Sequence, residues 1–518
     1  MTDKHYYLTT PIYYVNDVPH IGHAYTTLAC DVLARFKRLD GYRVHFLTGT
    51  DEHGQKVEKS ATDAGMDPQA FTDKVSQNFR DLARLMGFSN DDFIRTTEPR
   101  HMEASQAIWR KLKENGHIYL GKYAGWYAVR DEAFYGEDEL TKNENGTRLA
   151  PSGAEVEWVE EPSYFFDLSK WQDRLLEFYE ANPDFIAPNS RRNEVISFVR
   201  GGLHDLSVSR TSFKWGVPVP DDPDHIMYVW LDALTNYATA VGYPDENSHA
   251  FTTWWPADLH IVGKDIVRFH AVYWPAFLMG ADIAPPKRVF AHGWWTNEGQ
   301  KISKSVGNII DPIAIVEKYG LDQVRYFLIR EVPFGNDGDF RHEAVVGRMN
   351  SDLANDLGNL AQRVLSMVNK NCNAKVPDPG DFGLDSGMAV YNALLGAQAL
   401  RDKVRGHMDR QAFHGALEEV WRVVRDANRS VDEDAPWALR KTDPAKMATV
   451  LYVLAETIRH VAIILQPFMP DSCAKMLDQL GVAEDARGFD DLPNPLIPGT
   501  GLPKPEGVFP RLVEEAPE

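Results

Sequence analysis

The opening of the chain limits the fold more than any other stretch. An extended apolar run, Tyr6-Tyr7-Leu8-Thr9-Thr10, leads to a helical stretch from about His20 to Leu39, and Arg43 to Thr48 is a second extended run. In the helix Ile21, Ala24, Leu28, Val32, Phe36 and Leu39 recur at three- and four-residue spacing, giving one apolar stripe to lay against a sheet. Pro19 suits its first turn, and Asp40-Gly41 ends it. A strand–helix–strand opening starts a parallel sheet. Two further short apolar strands, Leu259-His260-Ile261-Val262 and Arg288-Val289-Phe290-Ala291, come far downstream, so the sheet is interrupted.

The stretch from about Gly121 to Pro223 carries Gly, Pro and acidic residues with short aromatic strands, Tyr123 to Val129 and Ser163 to Leu168, and reads as a separate mixed domain. From about Ala344 the pattern turns helical: Leu353, Leu357, Leu360, Ala361, Val364 and Val368 form one stripe, and the periodicity continues to about Leu480. Beyond it Pro493, Pro495, Pro498, Pro503, Pro505 and Pro510 exclude an ordinary helix, so an extended tail is expected, packed along another domain or partly disordered. The predicted fold is α/β. Residues 1–118 and 224–292 form a doubly wound parallel sheet, 119–223 the insertion, 293–350 a linking region, 351–480 an all-α domain and 481–518 the Pro-rich tail. At roughly 100–200 residues per domain, 518 residues suit three to four.

Composition bounds the class. With 43% hydrophobic and 25% charged residues, and no apolar run approaching the ~18–20 residues that cross a bilayer, the chain reads as a soluble globular protein. Met1-Thr2-Asp3-Lys4-His5-Tyr6 lacks the basic and apolar regions of a signal peptide, so a cytosolic location is expected. Cys30, Cys372 and Cys473 are far apart and make no C-x-x-C pair, which excludes a disulfide framework and a cysteine-rich zinc knuckle and predicts three buried thiols. A net charge of −20 argues against nonspecific coating of nucleic acid, so a nucleic-acid partner calls for a local basic face.

Two motifs point to chemistry. In Pro19-His20-Ile21-Gly22-His23 two imidazoles stand on one face of a first helical turn, and Gly22 lets a triphosphate approach. Helix N–H groups and two His donors favour charge that develops in phosphoryl or nucleotidyl transfer. Taken alone, the same pair is equally well read as caps of a helix. Lys301-Ile302-Ser303-Lys304-Ser305 follows the polar Asn297-Glu298-Gly299-Gln300, so it is expected on a mobile loop whose two lysines close over pyrophosphate. An isolated K-x-x-K would instead be a solvated basic loop.

Together, one motif after the first strand and the other after a late strand, they resemble the two signatures of the class I aminoacyl-tRNA synthetases, with Ile302 where many members carry methionine. The resemblance implies a Rossmann-type sheet with ligands beyond the carboxyl ends of its strands, an all-α anticodon-binding domain, and His20, His23, Lys301 and Lys304 as the groups that stabilise charge. Within the class the chain resembles methionyl-tRNA synthetases from Thr9 to Pro470, through Pro11-Ile12-Tyr13-Tyr14-Val15-Asn16, Thr48-Gly49-Thr50-Asp51-Glu52-His53-Gly54, Val229-Trp230-Leu231-Asp232-Ala233-Leu234-Thr235-Asn236-Tyr237 and Gly263-Lys264-Asp265-Ile266-Val267-Arg268-Phe269-His270.

That resemblance implies activation of L-methionine with ATP and Mg2+ to methionyl-adenylate, then transfer to tRNA(Met). It places Ile12, Tyr14, Trp230, Ala233, Leu234, Tyr237, Ile266 and His270 around the side chain and Asp51 on the ammonium group. A polarizable thioether suits aromatic walls with one or two polar donors. It also places Gly22, Gly263, Asp265, His292, Gly293 and Ser303, with the four charge-stabilising groups, on ATP. Trp230 and Tyr237 also fit a buried helix face, Asp265 a cap of the helix after it, and Asp51-Glu52-His53 lacks the His/Cys partners of a metal site.

Where many relatives carry zinc knuckles, Gly125 to Glu132 and Pro151-Ser152-Gly153 hold no cysteine, so a metal-free insertion packed by Tyr123, Trp126, Tyr127, Phe134 and Tyr135 is expected. Asn359 and Arg363, opposite the leucine stripe and therefore exposed, match with Trp437 the family's readers of the CAU anticodon. Trp437 alone would equally suit packing at a helix start. The chain lacks the extra C-terminal domain of dimeric relatives, which favours a monomer. Valine, isoleucine and leucine enzymes would need a larger editing insertion, and a cysteine enzyme thiolate-bound zinc. A small nucleotidyltransferase would need no α-domain, and a non-catalytic tRNA-binding protein no intact phosphate motifs.

Overall fold

A seven-stranded sheet organises the first part of the molecule. Its strands are β1 (His5–Thr9), β2 (Tyr13–Tyr14), β3 (Arg43–Asp51), β4 (Asp92–Arg95), β5 (Ile186–Ala187), β6 (Leu259–Gly263) and β7 (Val289–His292), in the order β5-β7-β6-β1-β3-β2 with β4 also on β3. The pairs β5–β7, β7–β6, β6–β1, β2–β3 and β3–β4 are parallel, so their carboxyl ends share one edge. Tyr7 and Leu8 on β1, and Leu259, Ile261 and Val262 on β6, are all buried, as central strands covered on both faces must be.

The computed structural model describes residues 4–15, 18–131, 133–143, 145–302, 307–380 and 389–513. The chain folds as two units, one comprising Met1–Pro19 and Val44–His292, the other His20–Arg43 and Gly293–Glu518. It leaves the first unit at Pro19, forms helix α1 (Ile21–Leu39) in the second, and returns at Val44. The first unit also holds α2 (Pro99–Glu114) and α3 (Val229–Thr239). Every residue of α3 except Trp230 is buried, the mark of a core helix, although it carries Asp232, Thr235 and Asn236. The insertion is a long antiparallel hairpin, Ile118–Ala128 on Glu157–Phe166, with a small knuckle at its tip.

In the second unit α1 buries Ile21, Ala24, Leu28, Val32 and Phe36 of the predicted stripe, with Leu39 only part-buried, but it also buries Tyr25 to Thr27, Ala29 to Asp31, Leu33 and Ala34, so it is covered on more than one side. Its charged side is tied to later helices. The Arg325 guanidinium on α4 (Leu321–Arg330) donates to Asp31 at 2.6 Å, to the Pro467 carbonyl at 2.9 Å and to the Phe468 carbonyl at 3.1 Å, with Asp31 and Arg325 both fully buried. The helical part comprises α5 (Asn359–Asn371), α6 (Phe413–Asp434), α7 (Pro436–Thr442) and α8 (Pro444–Leu465), among others. The stripe Leu353 to Val368 is buried throughout.

Three expectations change. Lys301, expected on a mobile loop, instead ends a tight hairpin, Trp295–Asn297 paired with Gln300–Lys301 around Glu298 and Gly299, both at positive φ (50° and 77°), the turn chemistry that matches strand twist, while residues 303–306 of that loop lie outside the described residues. Contrary to the absence of a long apolar run, α8 is long and apolar enough to span a bilayer at a mean hydropathy of 1.6; with 94% of that window buried inside the protein, it is a core helix. Cys30 and Cys473 are buried, but Cys372 at the end of α5 is only half-buried. The proline-rich tail is extended and tied down as far as Leu512: the Val376 N–H donates to the Thr500 carbonyl at 2.8 Å, the Tyr452 hydroxyl to the Leu496 carbonyl at 2.9 Å and the Leu512 N–H to Asn350 at 2.9 Å.

Candidate active site

At the carboxyl edge of the first unit's sheet, Tyr14 pairs in register with Asp51, and the Val15 N–H donates to the Asp51 carbonyl at 3.2 Å. Asp51 is only 7% exposed. Ile12, Tyr14, Trp230 and Ala233 pack with Tyr228 and Val229 as one apolar cluster. A carboxylate therefore stands beside an aromatic and aliphatic wall. The Trp230 ring stacks on Phe269 at 3.4 Å and 9°. The sequence reading passed over Phe269, whose only signal was its place between Ile266 and His270.

His270 lies in a π-type turn, Phe269–Tyr273, a deviation common where helices serve a site. Its Nδ1 lies 2.9 Å from the Ile266 carbonyl, which only accepts, so Nδ1 carries the proton and Nε2 accepts the Tyr237 hydroxyl at 2.7 Å. Burial pushes His270 down to about 4, against the opposing influence of that carbonyl and of Asp265. The imidazole is neutral at neutral pH. Tyr237 also stacks on His260 at 4.1 Å, and His260 Nδ1 meets the Thr9 hydroxyl at 2.8 Å. The polar donors expected of this wall are thus spent on each other and on the main chain. Leu234, 2% exposed, is part of the main core, against which Ile266 also packs.

Gly263 ends β6, and a Cβ there would lie 2.5 Å from Asp265 Oδ1, so glycine lets that carboxylate fold back over the main chain. The cap of the following 3-10 turn is Gly263, not Asp265. His292, 4% exposed, ends β7. Gly293 has a different cause: a Cβ there would stand 2.3 Å from the Asn336 carbonyl, so two main chains pass too closely for any side chain.

The second unit carries the phosphate motifs. His20 is the N-cap of α1, its Nδ1 accepting the Gly22 N–H at 3.0 Å, while the His20 N–H donates to His23 Nδ1 at 3.1 Å. The imidazoles form a capping box in place of the usual Ser and Glu. Since each Nδ1 accepts a main-chain N–H, each proton sits on Nε2, and the two rings, 4.0 Å apart, are N–H donors. Burial lowers both pKa values, His23 further through deeper desolvation and, secondarily, the His20 ring beside it. The capping reading and the ligand reading therefore use different nitrogens of the same rings. The Ile21 N–H donates to the Ile310 carbonyl at 3.2 Å, joining the start of α1 to the segment just after the lysine motif. The main chain of Lys301 ends the hairpin, whereas Ser303 and Lys304 lie outside the described residues.

In the helical part Asn359 is exposed and Arg363 partly so, with its guanidinium 2.8 Å from Asp432 and 5.8 Å from the ring centre of Trp437. Trp437, 51% exposed on α7, is followed by exposed Arg440 and Lys441, with exposed Asp432, Glu433 and Asp443 nearby in the chain.

At the tip of the insertion Ala128, Ala150, Ala154 and Val156 pack with Trp126, Tyr135 and Leu140. Tyr127 is buried, while the side chains of Tyr123 and Phe134 lie outside the described set. Asp131 accepts from the Tyr135 hydroxyl at 3.0 Å and from Ser152, and Glu137 accepts the Trp126 indole N–H at 2.6 Å. Among the described residues no group of three or more His, Cys, Asp and Glu is placed to hold a metal ion.

Residues 6–365 match the family described as tRNA synthetases class I (M), and residues 376–518 the anticodon binding domain of methionyl tRNA ligase. The methionine–tRNA ligase of Brucella suis biovar 1 is 58% identical over 515 residues, 99% of each chain, and that of Rickettsia bellii 59% identical over 513 residues, 98% of this chain and 99% of the relative. The Mycobacterium tuberculosis methionyl-tRNA synthetase solved with methionyl-adenylate superposes with a TM-score of 0.95 at 56% identity, covering 98% of this chain and all of that one.

Proposed function

Because the chain belongs to the methionyl-tRNA synthetases, we propose that the strand-end residues of the first unit hold methionine while the start of α1 and the lysine motif act on ATP. The reaction has two steps. The methionine carboxylate attacks the α-phosphorus of ATP, forming the acyl–phosphate bond as pyrophosphate leaves. A ribose hydroxyl of the tRNA 3′-terminal adenosine, the 2′ hydroxyl in this class, then attacks the adenylate carbonyl, loses its proton, and AMP departs.

Asp51 pairs with the substrate ammonium group and so aims its carboxylate. Ile12, Tyr14, Trp230, Ala233 and Ile266 enclose the side chain, with Leu234, Tyr237 and neutral His270 fixing the far wall. Gly263, Asp265 and His292 serve the nucleoside. Gly22 admits the triphosphate, taken as its Mg2+ complex, and the Nε2–H groups of His20 and His23 donate to its oxygens as charge builds, with Lys301 and Lys304 drawing off the leaving pyrophosphate. Asn359, Arg363 and Trp437 read the anticodon of tRNA(Met). We further read the chain as a cytosolic monomer with no structural zinc.

The observation that carries the amino-acid assignment is the pairing of Tyr14 with Asp51 beside the Trp230 wall. One nearly buried carboxylate next to an aromatic and aliphatic surface suits an ammonium group bearing an apolar, polarizable side chain. Amino-acid-dependent exchange of pyrophosphate into ATP tests it. Methionine alone among the twenty amino acids supports efficient exchange; exchange with another and none with methionine ends the reading.

A further inference from the structure

A carboxylate lies between two histidines in the first unit, and none of the three has a role in the assignment above. Asp232, fully buried on α3, accepts from His53 Nδ1 and from His101 Nε2, both at 2.7 Å. His101 is fully buried in the first turn of α2, and His53 is 3% exposed just beyond β3. The other polar residues of α3 bond within the helix, Thr235 to the Leu231 carbonyl, Thr239 to Thr235 and Asn236 to Ala233, and the Thr239 hydroxyl also lies 3.4 Å from His101 Nδ1. Asp232 reaches out to two other segments instead.

One of those segments, the end of β3, carries one end of the pocket, and α3 itself carries the other. His53 lies two residues past Asp51, and Asp232 lies two past Trp230 and next to Ala233. The strand end is also held from its other side. The Glu52 carboxylate takes Arg95 Nε at 2.7 Å and Nη2 at 2.9 Å, its N–H donates to the Thr96 hydroxyl at 2.9 Å, and its carbonyl accepts the Trp215 indole N–H at 2.6 Å. With β3 held in this way, the bond from His53 to Asp232 ties its end to α3. Charge-assisted hydrogen bonds are short and directional, whereas apolar packing lets a helix slide.

We propose that His53, Asp232 and His101 form a positioning triad that sets the span between the ammonium-binding Asp51 and the side-chain wall of Trp230 and Ala233, and so sets the affinity for the amino acid. This rests on the pocket reading above. Binding groups work only when held within a fraction of an ångström, which requires supporting residues that are themselves locked. The competing view is a buried polar cluster that serves folding alone.

The two histidines use different ring nitrogens, which supplies the test. Asparagine at 53 and glutamine at 101 each place an amide N–H where the imidazole had its own, while leucine at either position fills the space without a donor. In pyrophosphate exchange, His53→Leu and His101→Leu raise KM for methionine about tenfold, with kcat and KM for ATP within about threefold, and His53→Asn and His101→Gln return it to within about threefold of the parent. Leucine variants that melt lower yet keep the parent KM for methionine overturn the proposal. Should His101→Leu fail to fold, His101→Asn, whose amide stops short of Asp232, takes its place. Asp51→Asn and Trp230→Ala run alongside. If they too leave KM for methionine unchanged, the pocket reading itself has failed; if they raise it and the leucine variants do not, only the triad has.

Discussion

Two histidine pairs sit at the ends of parallel strands or the helices they feed, and they are built in opposite ways. His20 and His23 have no carboxylate between them in the capping box, are partly open, and keep their protons on Nε2 because each Nδ1 caps α1. His53 and His101 are buried on either side of Asp232, whose carboxylate consumes one N–H from each. One pair is tied through its Nδ1 atoms to the start of a helix, and the other gives its N–H groups to a buried anion.

The most severe test of that contrast is stability. Burial alone would raise the pKa of Asp232, but His53 and His101 hold it well below the usual carboxylate range. Removing one member of a buried polar pair costs about 3–5 kcal/mol, so Asp232→Ala lowers unfolding free energy by that order in urea titrations. His20→Ala, which loses a cap, costs about 1 kcal/mol. Equal losses at the two sites would break the comparison.

Activity should rank the other way. Asparagine is a good N-cap but has no donor where Nε2–H stands, so His20→Asn separates the two uses of the ring. It keeps the melting temperature within a degree or two, yet slows pyrophosphate exchange about 10²–10³-fold, roughly 3–4 kcal/mol, the usual cost of one donor aimed at developing charge. Full activity in that variant would make the pair a cap and nothing more.

Mild acid distinguishes neutral histidines from a clamped carboxylate. His270 drops from 6.5 in the unfolded chain to about 4 when folded. The unfolded state therefore takes up the proton first, and its stabilising contribution is full above pH 6.5, shrinks between 6.5 and 4, and is gone below 4. At ~1.4 kcal/mol per unit the descent amounts to about 3 kcal/mol. His20, His23 and His260 shift in the same direction and steepen it. Asp232, whose pKa is lowered, contributes nothing to this descent and gives way only as pH falls through its own value, under 3.8. Urea midpoints between pH 7 and 4 should fall in the parent and fall less in His270→Phe.

What the sequence disclosed follows from range. The α1 boundaries, its stripe and the strands β1, β3, β6 and β7 are local patterns, and each was legible. So was the Ile12, Tyr14, Trp230 and Ala233 wall, through family resemblance rather than periodicity. The triad was not, because His53 and Asp232 are 179 positions apart and His101 and Asp232 131. The segment Asp51-Glu52-His53 could be weighed as a metal site only because its partner was out of view. The Glu298-Gly299 turn was missed for another reason: polar residues beside a lysine motif look like a loop, and positive φ at a glutamate has no strong signal.

The smallest effect belongs to the knuckle, where a carboxylate is held by hydroxyls instead of imidazoles. Asp131 accepts from Tyr135 and Ser152 in a part-exposed setting, so Tyr135→Phe forfeits one hydrogen bond, about 1 kcal/mol, and only locally. Hydrogen exchange at Ala128 to Val156 should quicken while global melting and exchange activity hold. On the zinc-free reading of the knuckle, a chelator should leave the same amides as slow as before. Faster exchange with chelator would mean that a cation, rather than hydroxyls, neutralises Asp131, and the knuckle would then resemble neither histidine pair but a metal-dependent third kind of site.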